Sequence, residues 1–139
     1  MSIQQTDVLY TAVATAENGR DGRVATDDGT LDVIVNPPKE MGGSGTGTNP
    51  EQLFAAGYSA CFQGALAVVA RQEKADITGS TVTAKVGIGK NADGFGLIVE
   101  ISATIPNTDP TTAQALLAKA HQVCPYSKAT RGNITVTLT

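Results

Sequence analysis

The chain has 139 residues, the size of one domain, and a chain of this length buries roughly two thirds of its unfolded surface, enough for one core. Ten Lys and Arg against 13 Asp and Glu give a net charge of -3, with three Phe, three Tyr and no Trp, so nucleic acid and anionic membrane surfaces are not expected partners. No run approaches the roughly 20 uninterrupted apolar residues of a membrane span, and the opening MSIQQTDVLY lacks a charged region followed by an apolar one, so a cytoplasmic protein is expected.

VLYTAVATA (residues 8–16) is rich in β-branched and aromatic residues and reads as a strand, followed by the turn-like ENGRDG. RVATDDGTLDVIV reads as two short strands around Asp28-Gly29, a strong local hairpin signal. NPPKEMGGSGTGTN (residues 36–49) is too dense in Pro and Gly for a regular element and reads as a long loop. A helix then begins with Asn49 as cap, Pro50 at the first helical position and Gln52 completing a box-like pattern, and runs to about Lys74. Phe54, Tyr58, Cys61, Ala65 and Val68 recur at three- and four-residue spacing, beside a strip without bulk at Gly57, Ala60 and Gly64.

STVTAKVGIG and FGLIVEISATI, separated by KNADG, read as a second hairpin. Asp109-Pro110 opens a second helix in which Ala113, Leu116, Leu117, Ala120 and Val123 keep helical period, and Pro125 ends it just after Cys124. NITVTLT closes the chain as a strand. The expected fold is α+β, a single domain over residues 1–139 with antiparallel sheets and two helices.

Chemistry can be sought at the two cysteines. They stand 63 positions apart, which excludes a CxxC redox motif, and both can equally be core residues, since free Cys is among the most buried residue types. A reactive Cys61 requires a stabilised thiolate. It lies about ten residues into its helix, beyond reach of that helix's own N-terminal dipole, so a cation is called for, with Arg20, Arg23, Arg71 and Arg131 as candidates. Glu51 sits ten positions before Cys61, roughly 15 Å along the axis, so one helix cannot bring the two together.

Other constellations are weak. GYSAC resembles the start of a hydrolase elbow, but its fifth position is Cys61 rather than Gly, which leaves Ser59 a small packing residue. GGSGTGT lacks the ending of a phosphate loop, and His121, the only histidine, has no companions at a familiar zinc spacing.

GTNPEQLFAAGYSACF with AHQVCPYSKATRGN, and LYTAVATAENGRDG near the start, resemble the organic hydroperoxide resistance (Ohr) branch of the Ohr/OsmC superfamily over nearly the whole chain. The resemblance implies an Ohr/OsmC-like fold, with antiparallel sheets wrapped around two central helices in an intertwined homodimer. It further implies a thiol peroxidase acting on organic hydroperoxides, with Cys61 as peroxidatic and Cys124 as resolving residue, and with Arg20 and Glu51 paired beside the thiolate. A two-fold axis crossing antiparallel helices near Ala56 and Gly57 would set Glu51 beside the partner's Cys61, with the Gly57 and Ala60 strip permitting the approach.

Phe54, Tyr58, Phe62 and Met41 are expected to line an apolar substrate channel. No metal, flavin or haem is implied, and the expected reductant is an external dithiol, lipoamide or a lipoylated protein. The alternatives are a redox sensor that reacts once without turnover, a hydrolase using Ser59, and a structural domain with two core cysteines.

Overall fold

The structure, a computed structural model, describes residues 3–139, which divide into two compact units, residues up to Pro50 and Glu51–Thr139. The first unit is an antiparallel three-stranded sheet in the order β1 (Ala14–Glu17), β2 (Gly22–Thr26), β3 (Asp32–Val35). Asp28-Gly29 forms the expected turn between β2 and β3: Asp28 accepts from the Thr30 N–H and the Thr26 hydroxyl, and Gly29 takes φ +73°.

The first strand is shorter than the sequence suggests, because Val8, Leu9 and Tyr10 are exposed and lie outside any strand. Pairing explains this: Ala14 is already opposite Thr26, and one more backbone bond, from Asp27 N to Val13 O at 3.1 Å, follows before the chain turns away at Asp28-Gly29. The long loop that follows β3 contains one 3-10 turn, Lys39–Met41. It is closed at its base, where Thr48 N donates to Ile34 O and Asn36 N to Thr48 O, both at 2.9 Å.

The second unit opens with α1 (Pro50–Glu73), which starts and stops within a residue of the sequence reading. By length and composition α1 could cross a membrane. Here Tyr58, Phe62, Ala65, Leu66 and Val69 enter the core of the unit. β4 (Thr81–Asn91) and β5 (Gly94–Thr104) pair antiparallel along their full length, and the expected five-residue link KNADG contracts to Ala92-Asp93, since Asn91 pairs with Gly94. Alternation puts Val82, Ala84, Val86, Val99, Ile101 and Ala103 in that core. Each fully buried side chain of this kind contributes roughly 1.5–3 kcal/mol.

α2 (Pro110–Val123) is capped by Asp109, whose carboxylate accepts from the Thr112 N–H and hydroxyl at 2.8 Å. Pro125 ends α2 as expected, but it is also the first residue of a further helix, α3 (Pro125–Thr130), which the sequence reading missed. Between them Cys124 has ψ 123°, the extended conformation favoured before proline. It closes α2 by donating to Ala120 O (2.8 Å) and opens α3 by accepting from Lys128 N (3.0 Å). The last strand, β6 (Val136–Leu138), joins β5 parallel rather than antiparallel, Val99 opposite Val136. The unit is thus an α+β arrangement of three helices and a three-stranded sheet, not of two helices and purely antiparallel strands.

Candidate active site

Helical period places Phe54, Tyr58 and Cys61 in succession along α1, with Tyr58 one turn before the cysteine. The joint between α2 and α3 lies against this stretch and brings the Cys124 Sγ to 3.5 Å from the Cys61 Sγ. Both are free thiols; Cys124 is fully buried, whereas Cys61 retains partial exposure. A disulfide sulfur pair lies at about 2.05 Å, so closure asks for a shift of roughly 1.5 Å.

Burial pushes the Cys61 thiol above its ordinary range, and the adjoining Cys124 sulfur adds to the rise. Against these the Tyr126 backbone N–H, in the first turn of α3, hydrogen-bonds the sulfur and favours the thiolate. Burial prevails, so within this unit the thiol form is preferred and a thiolate needs a further positive group.

The side chains around the sulfurs are tied together. Tyr58 Oη lies 2.8 Å from Ser127 Oγ and 3.1 Å from Thr130 Oγ1, and Ser127 Oγ lies 2.8 Å from His121 Nδ1. The rings of Phe54, Tyr58 and Tyr126 form a cluster with centroids 5.7–6.1 Å apart. Phe54 and Tyr126 also line a largely apolar cleft of about 610 Å³ with Leu97, Ala129, Thr130, Asn133 and Ile134. Tyr126 therefore touches both the cleft, through its ring, and the Cys61 sulfur, through its N–H.

The OsmC-like protein family matches residues 43–139. An organic hydroperoxide resistance protein of Xanthomonas axonopodis pv. citri is 55% identical over 134 residues, 95% of this chain and 94% of that protein. The chain belongs to the organic hydroperoxide resistance branch of the OsmC-like family. Crystal structures agree: the resistance protein of Elizabethkingia anophelis superposes with a TM-score of 0.90 at 54% identity, covering 96% of this chain and 97% of that one. OhrB of Bacillus subtilis gives 0.86 at 45%, covering 94% and 98%. These likenesses establish the Ohr/OsmC fold for the chain.

Within this Ohr-branch chain the structure brings Cys61, Cys124, Phe54 and Tyr58 into one neighbourhood. Tyr58 and Phe62 have no accessible surface, so of the three aromatic residues expected in a channel only Phe54 lines the cleft, while Tyr58 serves the hydrogen-bond network and Phe62 the core. Glu51 occupies the first turn of α1, where its charge suits the helix dipole.

Arg20 and Met41 belong to the first unit. Arg20 is exposed in the turn joining β1 to β2, after Asn18 and Gly19, both at positive φ; the next residue, Asp21, accepts from the Asn36 amide at 2.8 Å. Met41 ends the 3-10 turn, 41% exposed.

The other cation candidates have different employment. Arg23 forms a forked pair with Asp32, both contacts 2.7 Å, and Arg131 donates to His121 O at 2.7 Å. Arg71 stands ten residues beyond Cys61 on α1, roughly 15 Å along the axis. Ser59 donates to Ala56 O at 3.0 Å, a local back-bond suited to a packing residue. The space left by Gly57 is taken by Tyr126 of the same chain, whose Oη would lie 2.9 Å from an added Cβ, so its smallness has a cause within the unit.

Sequence reasoning missed Tyr126, Ser127 and the part played by His121. The available signal was Pro125 directly after Cys124, read only as a stop although proline favours the first position of a helix.

Proposed function

We propose that the chain is a cysteine-based peroxidase of the peroxiredoxin type that reduces organic hydroperoxides to alcohols and so defends against organic peroxide stress. The observation that carries this reading is the pair of unbonded thiols at 3.5 Å, one partly exposed and one buried. Such a pair suits a thiol that meets substrate and a second one reserved for it. The Xanthomonas and Bacillus relatives, named for organic hydroperoxide resistance, support the substrate class.

The Cys61 thiolate attacks the distal peroxide oxygen; the O–O bond breaks, the alkoxide takes a proton and leaves as alcohol, and Cys61 becomes a sulfenic acid. The Cys124 thiol then attacks that sulfur, forming the disulfide and releasing water. Arg20 is the cation that offsets the burial of Cys61 and stabilises the developing alkoxide, with Glu51 orienting it by a forked hydrogen bond. The two compact units then act as one domain.

The arrangement works as a homodimer, and the disulfide is returned to two thiols by an external dithiol, of lipoamide or a lipoylated protein. Among the described residues no group of three or more His, Cys, Asp or Glu gathers at a point, and the proposed chemistry is carried by sulfur alone.

The test is thiol loss in the reduced protein mixed with one equivalent of an alkyl hydroperoxide or of hydrogen peroxide, beside Cys61→Ser and Cys124→Ser. Wild type is expected to lose two thiols much faster with the organic peroxide, and Cys61→Ser none. Thiol decay at the slow rate of free cysteine with both oxidants would overturn the reading.

A further inference from the structure

The hydrogen bonds behind the cysteines have a regular placement. Tyr58 lies three residues before Cys61; His121 and Ser127 lie three before and three after Cys124. Tyr58 lies one helical turn before Cys61 on α1, and His121 and Ser127 lie in the last turn of α2 and the first turn of α3, on either side of the joint that carries Cys124. Ser127 Oγ joins the two sides, 2.8 Å from Tyr58 Oη and 2.8 Å from His121 Nδ1, and is fully buried with Tyr58.

Counting protons fixes the direction of the network. Four contacts are present: His121 to Ser127, Ser127 to Tyr58, Tyr58 to Thr130 Oγ1, and Thr130 Oγ1 to Ser127 O at 3.3 Å. Three hydroxyls supply three protons, so all four contacts are made only if His121 Nδ1 carries the fourth. The chain then runs one way, from His121 N–H through Ser127, Tyr58 and Thr130 hydroxyls to the Ser127 carbonyl. Among the described residues no buried side-chain nitrogen or oxygen lacks a partner, in agreement with a closed network.

We infer that Ser127, Tyr58 and His121 are positioning residues which hold the Cys124 joint against α1 so that the two sulfurs meet. The inference deepens the peroxidase reading by naming what sets the rate of its second step, and it rests on that reading for its biological use. Two short helices meeting at one residue form a joint that packing alone leaves free to pivot. A hydroxyl bonded at once to α1, through Tyr58, and to α2, through His121, fixes the pivot. The guanidinium of Arg131, donating to His121 O at 2.7 Å, ties the end of α3 to the same turn of α2.

The test measures the effective concentration of the Cys61 and Cys124 thiols for one another, by equilibrating the protein with glutathione and glutathione disulfide. There the two thiols give two electrons and two protons to glutathione disulfide, forming the protein disulfide and two glutathiones, and no peroxide is involved. Ser127→Ala and Tyr58→Phe are each expected to lower the effective concentration about fivefold or more, the worth of a buried hydrogen bond. His121→Asn, whose amide can donate from nearly the same place, is expected to recover most of the loss seen in His121→Ala.

A network that only stabilises the fold would weaken dithiol and disulfide forms alike; an unchanged effective concentration in Ser127→Ala and Tyr58→Phe, both folded by circular dichroism, would overturn the inference. Failure of wild type to consume an alkyl hydroperoxide would instead strike the peroxidase reading, leaving the glutathione measurement to decide this one.

Discussion

Replacing Gly57 by Ala tests whether the Tyr126 ring is the element that requires a glycine on α1. The added Cβ would lie 2.9 Å from Tyr126 Oη and 3.2 Å from Cε2. Ordinary contact needs another ~0.5 Å, and the atoms that must move belong to the far end of a ring 40% exposed. A shift of that size forfeits about a quarter to a half of the contact energy in the ring pairs of Tyr126 with Phe54 and Tyr58, roughly 0.5–1 kcal/mol in all. Exchange of Gly for Ala inside a helix returns about 0.5–1 kcal/mol through lost backbone freedom in the unfolded chain.

The two contributions nearly cancel, so the reduced Gly57→Ala protein should match wild type to within ~0.5 kcal/mol in urea unfolding while its near-ultraviolet tyrosine signal changes. Leu at the same position occupies the seat of the ring and should cost about 1–3 kcal/mol. In a Tyr126→Ala background that penalty should vanish, because the two substitutions share one contact. A loss above ~2 kcal/mol for Gly57→Ala, or a Leu penalty that persists without the Tyr126 ring, would refute the reasoning; the latter result would return Gly57 to a contact outside this unit.

Two further outcomes are expected. Phe62→Ala empties a fully buried site in the core, and urea unfolding should show a loss of about 3–5 kcal/mol; a loss below ~1.5 kcal/mol would mean the ring faces open space. Burial, aided by Arg131, holds the His121 imidazole below its ordinary value, so its neutral form is favoured by the fold. That stability is fully present above the unfolded value near about pH 6.5 and is lost as pH falls through the lower folded one, so acidification should weaken wild type more than His121→Asn; equal losses in both would refute the assignment.

The features that the sequence determined by itself are those decided within a few residues. The Asp28-Gly29 turn, the start of α1 at Pro50 and the Asp109-Pro110 start of α2 stand where local capping and turn chemistry put them. The apolar period of α1 and α2 also named Tyr58, Ala65, Leu116, Leu117 and Ala120 of the core, because burial follows which face a residue occupies, while Val123 on the same period stands exposed and the buried Phe62, Leu66 and Val69 form a stripe beside the one read for α1. The resemblance carried by the two cysteine segments supplied the family, which local pattern does not encode.

Only the tertiary structure decided what depends on closing long loops. It brought two sulfurs 63 positions apart to 3.5 Å, laid β6 parallel to β5, and stopped β1 short where its partner strand ran out. It also turned Pro125 from a stop into the start of α3, whose first turn gives Cys61 an N–H and whose Ser127 reaches Tyr58. These positions are fixed by which surfaces pack together across the chain, and periodicity along the chain records the faces of the elements without recording their partners.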